Sequence, residues 1–138
     1  MRLKAIVTGG AGFIGSHLVE LLLEKKFSVV VIDNFATGRK NNLKQVLNKT
    51  KIINADISNY SKIEKSFKNV DYVFHLAGLA DIVPSIENPE RYFETNVKGT
   101  LNILKASKKY NVKKVVYAAS ASCYGIVKKF PTNEQTKI

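Results

Sequence analysis

A glycine-rich stretch, TGGAGFIGSH, constrains the fold more than any other part of this sequence. It follows an apolar run and precedes leucines at helical spacing, and Gly9, Gly12 and Gly15 fall in the pattern G-x-x-G-x-x-G. Glycines at a strand-to-helix turn let the backbone bend sharply and approach a pyrophosphate, which accepts hydrogen bonds from free N–H groups at the helix start. Because tight turns also use glycine for its flexibility alone, the pattern needs support from the rest of the chain.

The order of apolar runs and helical periods predicts the fold class. Five runs are nearly continuously apolar, as strands covered by helices on both faces are: residues 3–9, 28–33, 51–57, 72–78 and 114–120. Helices are predicted over residues 13–26, 61–67 and 89–110, and a further helical turn or two over residues 41–47. This alternation is typical of an α/β protein with a Rossmann-type doubly wound parallel sheet, and we expect the strand order 3-2-1-4-5. No repeat or linker divides the 138 residues, which predicts one domain.

Composition limits the compartment and the chemistry. Apolar residues make up 45% of the chain, yet no run approaches the roughly 18 consecutive apolar residues of a membrane span. The early turn to glycine argues against a signal peptide, so we expect a soluble, cytoplasmic protein with no membrane partner. Cys123 is the single cysteine, which excludes an internal disulfide and argues against a cysteine-based metal site. We expect no bound metal.

The net charge of +11 raises the question of a polyanionic partner. Nearly all of the 22 basic residues are lysines, spread in short pairs such as Lys25-Lys26 and Lys108-Lys109. They form no arginine cluster and do not alternate with aromatic residues, which nucleic-acid interfaces favour. We therefore expect solvated lysines and no nucleic acid; the alternative would show as strongly salt-dependent binding to DNA or RNA.

Asp33 supports the dinucleotide interpretation of the glycine turn. It ends the second predicted strand, where this fold needs a carboxylate to accept hydrogen bonds from the adenosine ribose hydroxyls. The same carboxylate would repel a 2′-phosphate, which favours NAD over NADP. Arg39 and Lys40 in the following loop keep NADP open as an alternative.

Further polar and small residues come at the ends of the third and fourth predicted strands. In an open parallel sheet these carboxyl ends line the ligand crevice. Asp56 is a candidate acceptor for the adenine amino group, and Leu76, Ala77 and Gly78 are small or apolar enough for the cofactor to pass close to the backbone. His75 stands within an apolar strand, so we expect a packed, locally hydrogen-bonded histidine rather than a catalytic base.

Together these motifs resemble the extended short-chain dehydrogenase/reductase family, particularly its NAD-dependent nucleotide-sugar epimerases and dehydratases. The resemblance spans the whole chain and rests on TGGAGFIGSHLV, VIDNFATGRKNNL, ADI, HLAGLADIVPSIENP, NVKGTLNIL and VVYAASASCYG. Their joint order and spacing are specific to the family, and within it they are most similar to UDP-glucose 4-epimerases. The implied cofactor is NAD, and the implied substrate of the full-length parent is a UDP-sugar.

The resemblance also implies residue roles. Ser85 falls where the family places a residue near the sugar or its diphosphate, although a cap before Pro89 is an equally good interpretation. Ala80 stands where some epimerases have a lysine, so a charge contact to the cofactor is missing there. The implied cofactor-binding residues are Gly9, Gly12, Phe13, Ile14, Gly15, Asp33, Asn34, Phe35, Ala36, Thr37, Gly38, Asp56, Ile57, Leu76, Ala77, Gly78, Leu79, Ala80, Thr95, Asn96 and Ser120.

Ser120 takes the position of the family's catalytic serine, whose hydroxyl bonds the sugar oxygen that is oxidised. The family's base is a tyrosine whose pKa is lowered by a lysine four residues later, and together they permit hydride transfer to the nicotinamide. Tyr124 has Lys128 at that offset, but the pair belongs to a Tyr-Gly turn and not to the expected helix. The resemblance therefore implies a truncated NAD-binding domain over residues 1–138, without the substrate-binding domain and inactive by itself.

These observations leave several functions open. The leading hypothesis is the NAD-binding portion of a UDP-hexose epimerase that acts by transient oxidation of the sugar ring. The alternatives are a nucleotide-sugar 4,6-dehydratase and a non-catalytic dinucleotide-binding module. In relatives, the helix equivalent to residues 89–110 pairs in a dimer, so a homodimer is a further expectation.

Overall fold

The computed structural model describes residues 2–127 and 130–137. It contains a five-stranded sheet in the order β3-β2-β1-β4-β5, and every neighbouring pair is parallel. The predicted fold class and strand order are therefore confirmed. The strands are β1 (Lys4–Thr8), β2 (Ser28–Asp33), β3 (Lys51–Asn54), β4 (Tyr72–His75) and β5 (Lys114–Tyr117).

Helical segments cover both faces of the central strands. Side chains of successive strand residues point to opposite faces, so each central strand contributes to both buried layers. On one face, Ile6 and Ile32 pack with Phe67 and Ile103 from the helical segments. On the other face, a second buried cluster joins the sheet to the first helix through Ala5, Val7, Val19, Leu22, Val31 and Leu43. Burial on both faces explains why the central strands β1 and β2 contain almost no alternating polar residues, whereas the edge strand β5 leaves Val116 and Tyr117 exposed.

The helical segments follow the predicted order with two differences. The first helix, α1, spans Phe13–Glu24, and α2 spans Tyr60–Ile63 before a 3-10 turn, Glu64–Phe67. The helical turn or two predicted over residues 41–47 take the form of two 3-10 turns, Lys40–Leu43 and Leu47–Lys49. The helix predicted over residues 89–110 is interrupted, and a short helix before it was not predicted. These parts are α3 (Ile82–Glu87), α4 (Pro89–Tyr92), a π-helical segment (Phe93–Gly99) and α5 (Thr100–Lys109).

Three strands end earlier than their apolar runs predicted. Residues 55–57, 76–78 and 118–120 leave the sheet instead of continuing β3, β4 and β5. The last hydrogen bonds of the ladder come from the backbone N–H groups of Ala55, Leu76 and Ala118, which donate to Asp33, Thr8 and His75. Beyond these bonds each of the three segments leaves the sheet. The same three segments line the cavities described below.

Asn88, not Ser85, caps the helix that begins at Pro89. The Asn88 side chain accepts a hydrogen bond from the Arg91 backbone N–H at 3.1 Å. Ser85 lies within α3, where its hydroxyl donates to the Ile82 carbonyl at 2.6 Å. The capping interpretation of Ser85 is therefore wrong, because an asparagine directly before the proline does that work.

No helix in the described part of the chain has the length and apolarity that would let it cross a membrane. Residues 2–127 and 130–137 also contain no group of three or more His, Cys, Asp or Glu side chains arranged to hold a metal ion.

Candidate functional site

The glycine turn brings β1, α1 and the segment after β4 into close contact. Gly9 has a φ of +68°, and a Cβ there would lie 2.7 Å from the Ala77 nitrogen. A Cβ on Gly15 would collide with the Gly9 carbonyl oxygen. Both glycines are therefore required by backbone packing, in addition to any ligand they serve.

The start of α1 is open to an anion. Its N-cap is Gly12, which offers no side-chain acceptor, and no acidic residue lies in the first turn. The side chains of Phe13 and Ile14 at that turn are exposed. An uncapped helix start presents free N–H groups and the positive end of the helix dipole, as a pyrophosphate site requires.

Asp33 lies at the end of β2 and is almost fully buried. One carboxylate oxygen accepts the Ala11 backbone N–H at 2.9 Å, and the other accepts the Phe35 N–H at 2.8 Å. A carboxylate offers about four lone-pair positions, so acceptor capacity remains for ribose hydroxyls. A Cβ on Gly38 would lie 3.0 Å from the Asp33 carboxylate, so glycine at this position leaves room beside the carboxylate.

Asp56 forms a second acidic position beside Asp33. It accepts the Asn34 side-chain amide at 2.8 Å and the Ser58 backbone N–H at 2.8 Å. Burial alone would raise the pKa of the Asp56 carboxyl, but the hydrogen bonds from Ser58 and Asn34 and the nearby charge of Arg91 lower it overall. Asp56 is therefore an ionised acceptor at neutral pH.

Two cavities meet along the carboxyl edge of the sheet. The first has a volume of about 220 Å³ and contains Asp33 and Asp56. The second has a volume of about 540 Å³ and contains Asn96, Tyr117 and Ser120. Residues 76–79 line both, so the two cavities adjoin along this segment, and the pair is called the groove below.

Most of the residues singled out in the sequence line this groove. In the first cavity these are Gly9, Gly12, Asp33, Asn34, Ala36, Thr37, Gly38, Asp56, Ile57, Leu76, Ala77, Gly78, Leu79 and Thr95. The second cavity adds Ala80, Asn96 and Ser120, together with Ser85. Phe13, Ile14, Gly15 and Phe35 line neither. Their proposed contacts with a cofactor stay predictions, as do those of the lining residues.

Sequence reasoning missed three polar residues of the first cavity: Ser58, Arg91 and Glu94. Arg91 and Glu94 are three residues apart on the helical segments that precede Thr95, and this i, i+3 spacing places them on the same side of a helix. That spacing was a usable signal. Ser58 gave none, because its contribution is a backbone N–H in the loop after β3.

Ser120 is exposed at the far end of the groove. Its hydroxyl accepts the Ser122 backbone N–H at 3.1 Å and bonds the Ser122 hydroxyl at 3.0 Å. Tyr124 ends the 3-10 turn that follows, Ala121–Tyr124. Lys128, the candidate partner of Tyr124, lies outside the described residues.

His75 is buried at the end of β4, directly before residues 76–79, which line both cavities. Its Nδ1 lies 2.6 Å from the Thr8 hydroxyl and its Nε2 lies 2.9 Å from the Thr100 hydroxyl. Burial lowers the pKa of His75 to about 4. The ring is therefore neutral at pH 7, which agrees with the expectation of a locally hydrogen-bonded histidine.

We expect His75 to make folding stability depend on pH. Its folded-state pKa of about 4 lies below the ordinary 6.5, so between these values only the unfolded chain takes up the proton. The free energy of unfolding should be fully retained above pH 6.5 and fall by about 3 kcal/mol as the pH drops to 4. Urea unfolding across this range measures the slope. The exposed His17 gives the control, since His17→Gln should keep the slope and His75→Phe should flatten it.

Comparison with known proteins identifies the family. Residues 5–138 match the model of the NAD dependent epimerase/dehydratase family. The chain belongs to this family. The resemblance drawn from the sequence motifs is thereby confirmed, and so is NAD as the cofactor of the family to which the chain belongs.

Individual relatives are similar over nearly the whole chain. It is 39% identical to UDP-glucose 4-epimerase 3 of Oryza sativa over 149 aligned residues, which cover 98% of this chain and 39% of that protein. It is 42% identical to the bifunctional UDP-glucose 4-epimerase and UDP-xylose 4-epimerase 1 of Pisum sativum over 148 residues, covering 98% and 41%. The chain thus spans about two fifths of the length of these epimerase/dehydratase relatives.

Solved structures of epimerases share the fold. UDP-glucose 4-epimerase of Thermotoga maritima, crystallised with UDP-glucose, has a TM-score of 0.87 and 38% identity, covering 97% of this chain and 44% of that one. The UDP-glucose 4-epimerase of Bifidobacterium longum, in complex with NAD+ and UDP, has a TM-score of 0.88 and 36% identity, covering 97% and 42%.

Proposed function

We propose that this chain is the NAD-binding portion of a UDP-sugar 4-epimerase. The observation that carries the proposal is the pair of adjoining cavities, one with Asp33 and Gly12 and the other with Asn96 and Ser120. A dinucleotide needs an acceptor for its ribose and free N–H groups at a helix start for its pyrophosphate. Asp33 supplies the acceptor, Gly12 connects the first cavity to the start of α1, and residues 76–79 lead from the first cavity to the second.

The adenosine half fits the first cavity. Asp33 retains acceptor capacity for the ribose hydroxyls, and Asp56 is an ionised acceptor within the same cavity. The ionised Asp33 would repel a 2′-phosphate in its buried surroundings, which favours NAD over NADP. The uncapped start of α1 then lies open for the pyrophosphate.

The nicotinamide half fits the passage formed by residues 76–79 and Asn96. Asn96 holds this segment with both ends of its amide, since its Oδ1 accepts the Leu79 N–H and its Nδ2 donates to the Leu79 carbonyl, each at 2.9 Å. NAD, when bound, supplies the hydride acceptor for oxidation of a sugar hydroxyl. Ser120 would donate or accept a hydrogen bond at that hydroxyl, for which it must give up its bond to Ser122.

The UDP-sugar assignment rests on the relatives. UDP-glucose 4-epimerases appear among both the curated relatives and the solved structures, and one solved relative is a UDP-N-acetylglucosamine 4-epimerase of Methanobrevibacter ruminantium with 38% identity. The chain covers under half of these proteins, so the sugar and the activity are proposed for the whole protein. A 4,6-dehydratase and a non-catalytic module remain the alternatives.

We expect the 138-residue chain to bind NAD but not to epimerise a UDP-sugar. We expect calorimetric titration to detect NAD and to give at least tenfold weaker binding of NADP, because Asp33 opposes the 2′-phosphate. We expect no measurable epimerisation of UDP-glucose or UDP-N-acetylglucosamine, since the described elements contain no helix with a Tyr-x-x-x-Lys pair beside Ser120. Failure to bind NAD would refute the proposal. Robust epimerisation by the 138-residue chain would contradict the expected need for that helix and make Tyr124 with Lys128 the next candidates for the base.

A further inference from the structure

A directed chain of hydrogen bonds passes through His75. The Thr100 hydroxyl donates its single proton to the Asn96 carbonyl at 2.6 Å, so toward His75 it can only accept, and the His75 Nε2 carries the hydrogen. The neutral ring then accepts at Nδ1 from the Thr8 hydroxyl. Thr8 in turn accepts the Ala77 backbone N–H at 3.2 Å. This assigns the donor and the acceptor of every hydrogen bond in the series from Asn96 to Ala77.

The two ends of this chain hold the same short segment of the groove. At one end the bond comes from Ala77, and at the other end Asn96 also holds Leu79 through its side chain. Residues 76–79 line both cavities. Thr8 belongs to β1 and Thr100 begins α5, so the ring of His75 is the link that joins these two anchors.

We propose that His75 is a positioning residue of the NAD site: by bridging Thr8 and Thr100 it fixes residues 76–79 against the helical segment that carries Asn96. The ring lines neither cavity and acts through its two hydrogen-bonded neighbours. It also packs against Tyr117 of the second cavity, with the ring centroids 5.5 Å apart. The inference rests on the proposed NAD function, but its first two tests below do not.

The first test reads the tautomer. The chain has only two histidines, so ¹⁵N spectra of the imidazole rings can be assigned with His17→Gln alone. We expect a neutral ring with hydrogen on Nε2 at pH 7. Hydrogen on Nδ1, or a charged ring, would overturn the proposed direction of the chain.

The second test measures transmission without a cofactor. Thr100→Val removes the anchor on the far side of His75 from Thr8 and Ala77, and we expect amide exchange at Ala77 to accelerate about tenfold as the segment loosens. Ser107→Ala is the matched control, because Ser107 is a buried hydroxyl of α5 whose oxygen has no hydrogen-bond partner among the described residues. Equal Ala77 exchange in Thr100→Val and wild type would overturn the inference whether or not NAD binds.

The third test measures NAD affinity. We expect Thr8→Val and Thr100→Val each to weaken NAD binding about three- to tenfold, the double variant to lose little more than the stronger single variant, and Thr100→Ser to restore binding. On a His75→Phe background Thr100→Val should have no further effect, whereas Thr8→Val still removes the direct bond to Ala77. A purely structural histidine would lower unfolding stability while folded variants kept the wild-type affinity, and that result would overturn the inference. Wild-type protein that fails to bind NAD would instead refute the proposed function.

Discussion

The variant Gly15→Ala should lose about 3 kcal/mol or more of folding stability, enough to unfold a marginal domain. The new Cβ would collide with the Gly9 carbonyl oxygen and lie 2.8 Å from the Gly10 Cα. These are backbone atoms of the turn, which is itself held against Ala77 by Gly9. No side chain can rotate away to relieve the overlap, so β1 and α1 would have to separate.

Gly12→Ala is the matched control for this effect. Gly12 has an ordinary φ of −73°, and a Cβ there meets only the Gly9 carbonyl oxygen at 3.2 Å. We expect a stability change of about 1 kcal/mol or less. Urea unfolding followed by circular dichroism compares the two variants. Equal stability of Gly15→Ala and Gly12→Ala would contradict the close backbone packing inferred at Gly15.

The sheet could be predicted from the sequence because its pattern is repetitive. Five apolar runs alternate with helical periods, and parallel strands with short connections allow few arrangements. Strand ends were harder to predict. Apolar residues such as Leu76 and Ala77 look like strand, yet they leave the sheet because the neighbouring strands β1 and β5 end at Thr8 and Tyr117.

The interrupted helix after Pro89 depends on tertiary contacts that no local pattern records. Gly99 ends the π-helical segment, and a Cβ there would lie 2.6 Å from the Ile57 side chain. Asn96 in the same segment holds Leu79 through two hydrogen bonds. The sequence pattern predicts a helix here. The wider π-helical turns coincide with contacts to loops that are distant in the chain, which a local pattern cannot predict.

The residues of the candidate site likewise fall into those that the sequence could predict and those that it could not. Residues inside motifs, such as Gly9 and Asp33, could be assigned to the groove because the motif itself defines a turn or a strand end. The spacing of Arg91 and Glu94 places them on one side of a helix, but the proximity of Arg91 to Asp56 could not be predicted, since it depends on how α4 lies over the loop after β3. The partners of His75 likewise come from β1 and α5, which only the folded sheet brings together.

The other large effect is expected at Asp33. Asp33→Ala should weaken NAD binding by about 1 to 3 kcal/mol, roughly five- to 150-fold, because it removes the buried acceptor proposed for the ribose. The same change leaves the Ala11 and Phe35 N–H groups without their acceptor, so stability should also fall. Affinity must therefore be measured by calorimetry under conditions where each variant is folded.

Asp71→Ala separates the two consequences of that change. The Asp71 carboxylate also accepts a backbone N–H, that of Lys4 at 2.9 Å, but at the opposite end of the sheet. We expect it to lose stability and to keep wild-type NAD affinity. If Asp33→Ala bound NAD as tightly as Asp71→Ala did, the carboxylate would be a loop-forming residue and not a ribose acceptor. If instead Asp33→Ala weakens NAD binding and brings the affinities for NAD and NADP closer together, repulsion by Asp33 is the source of the cofactor preference. Arg39 and Lys40 in the adjacent loop would then be free to favour the 2′-phosphate of NADP.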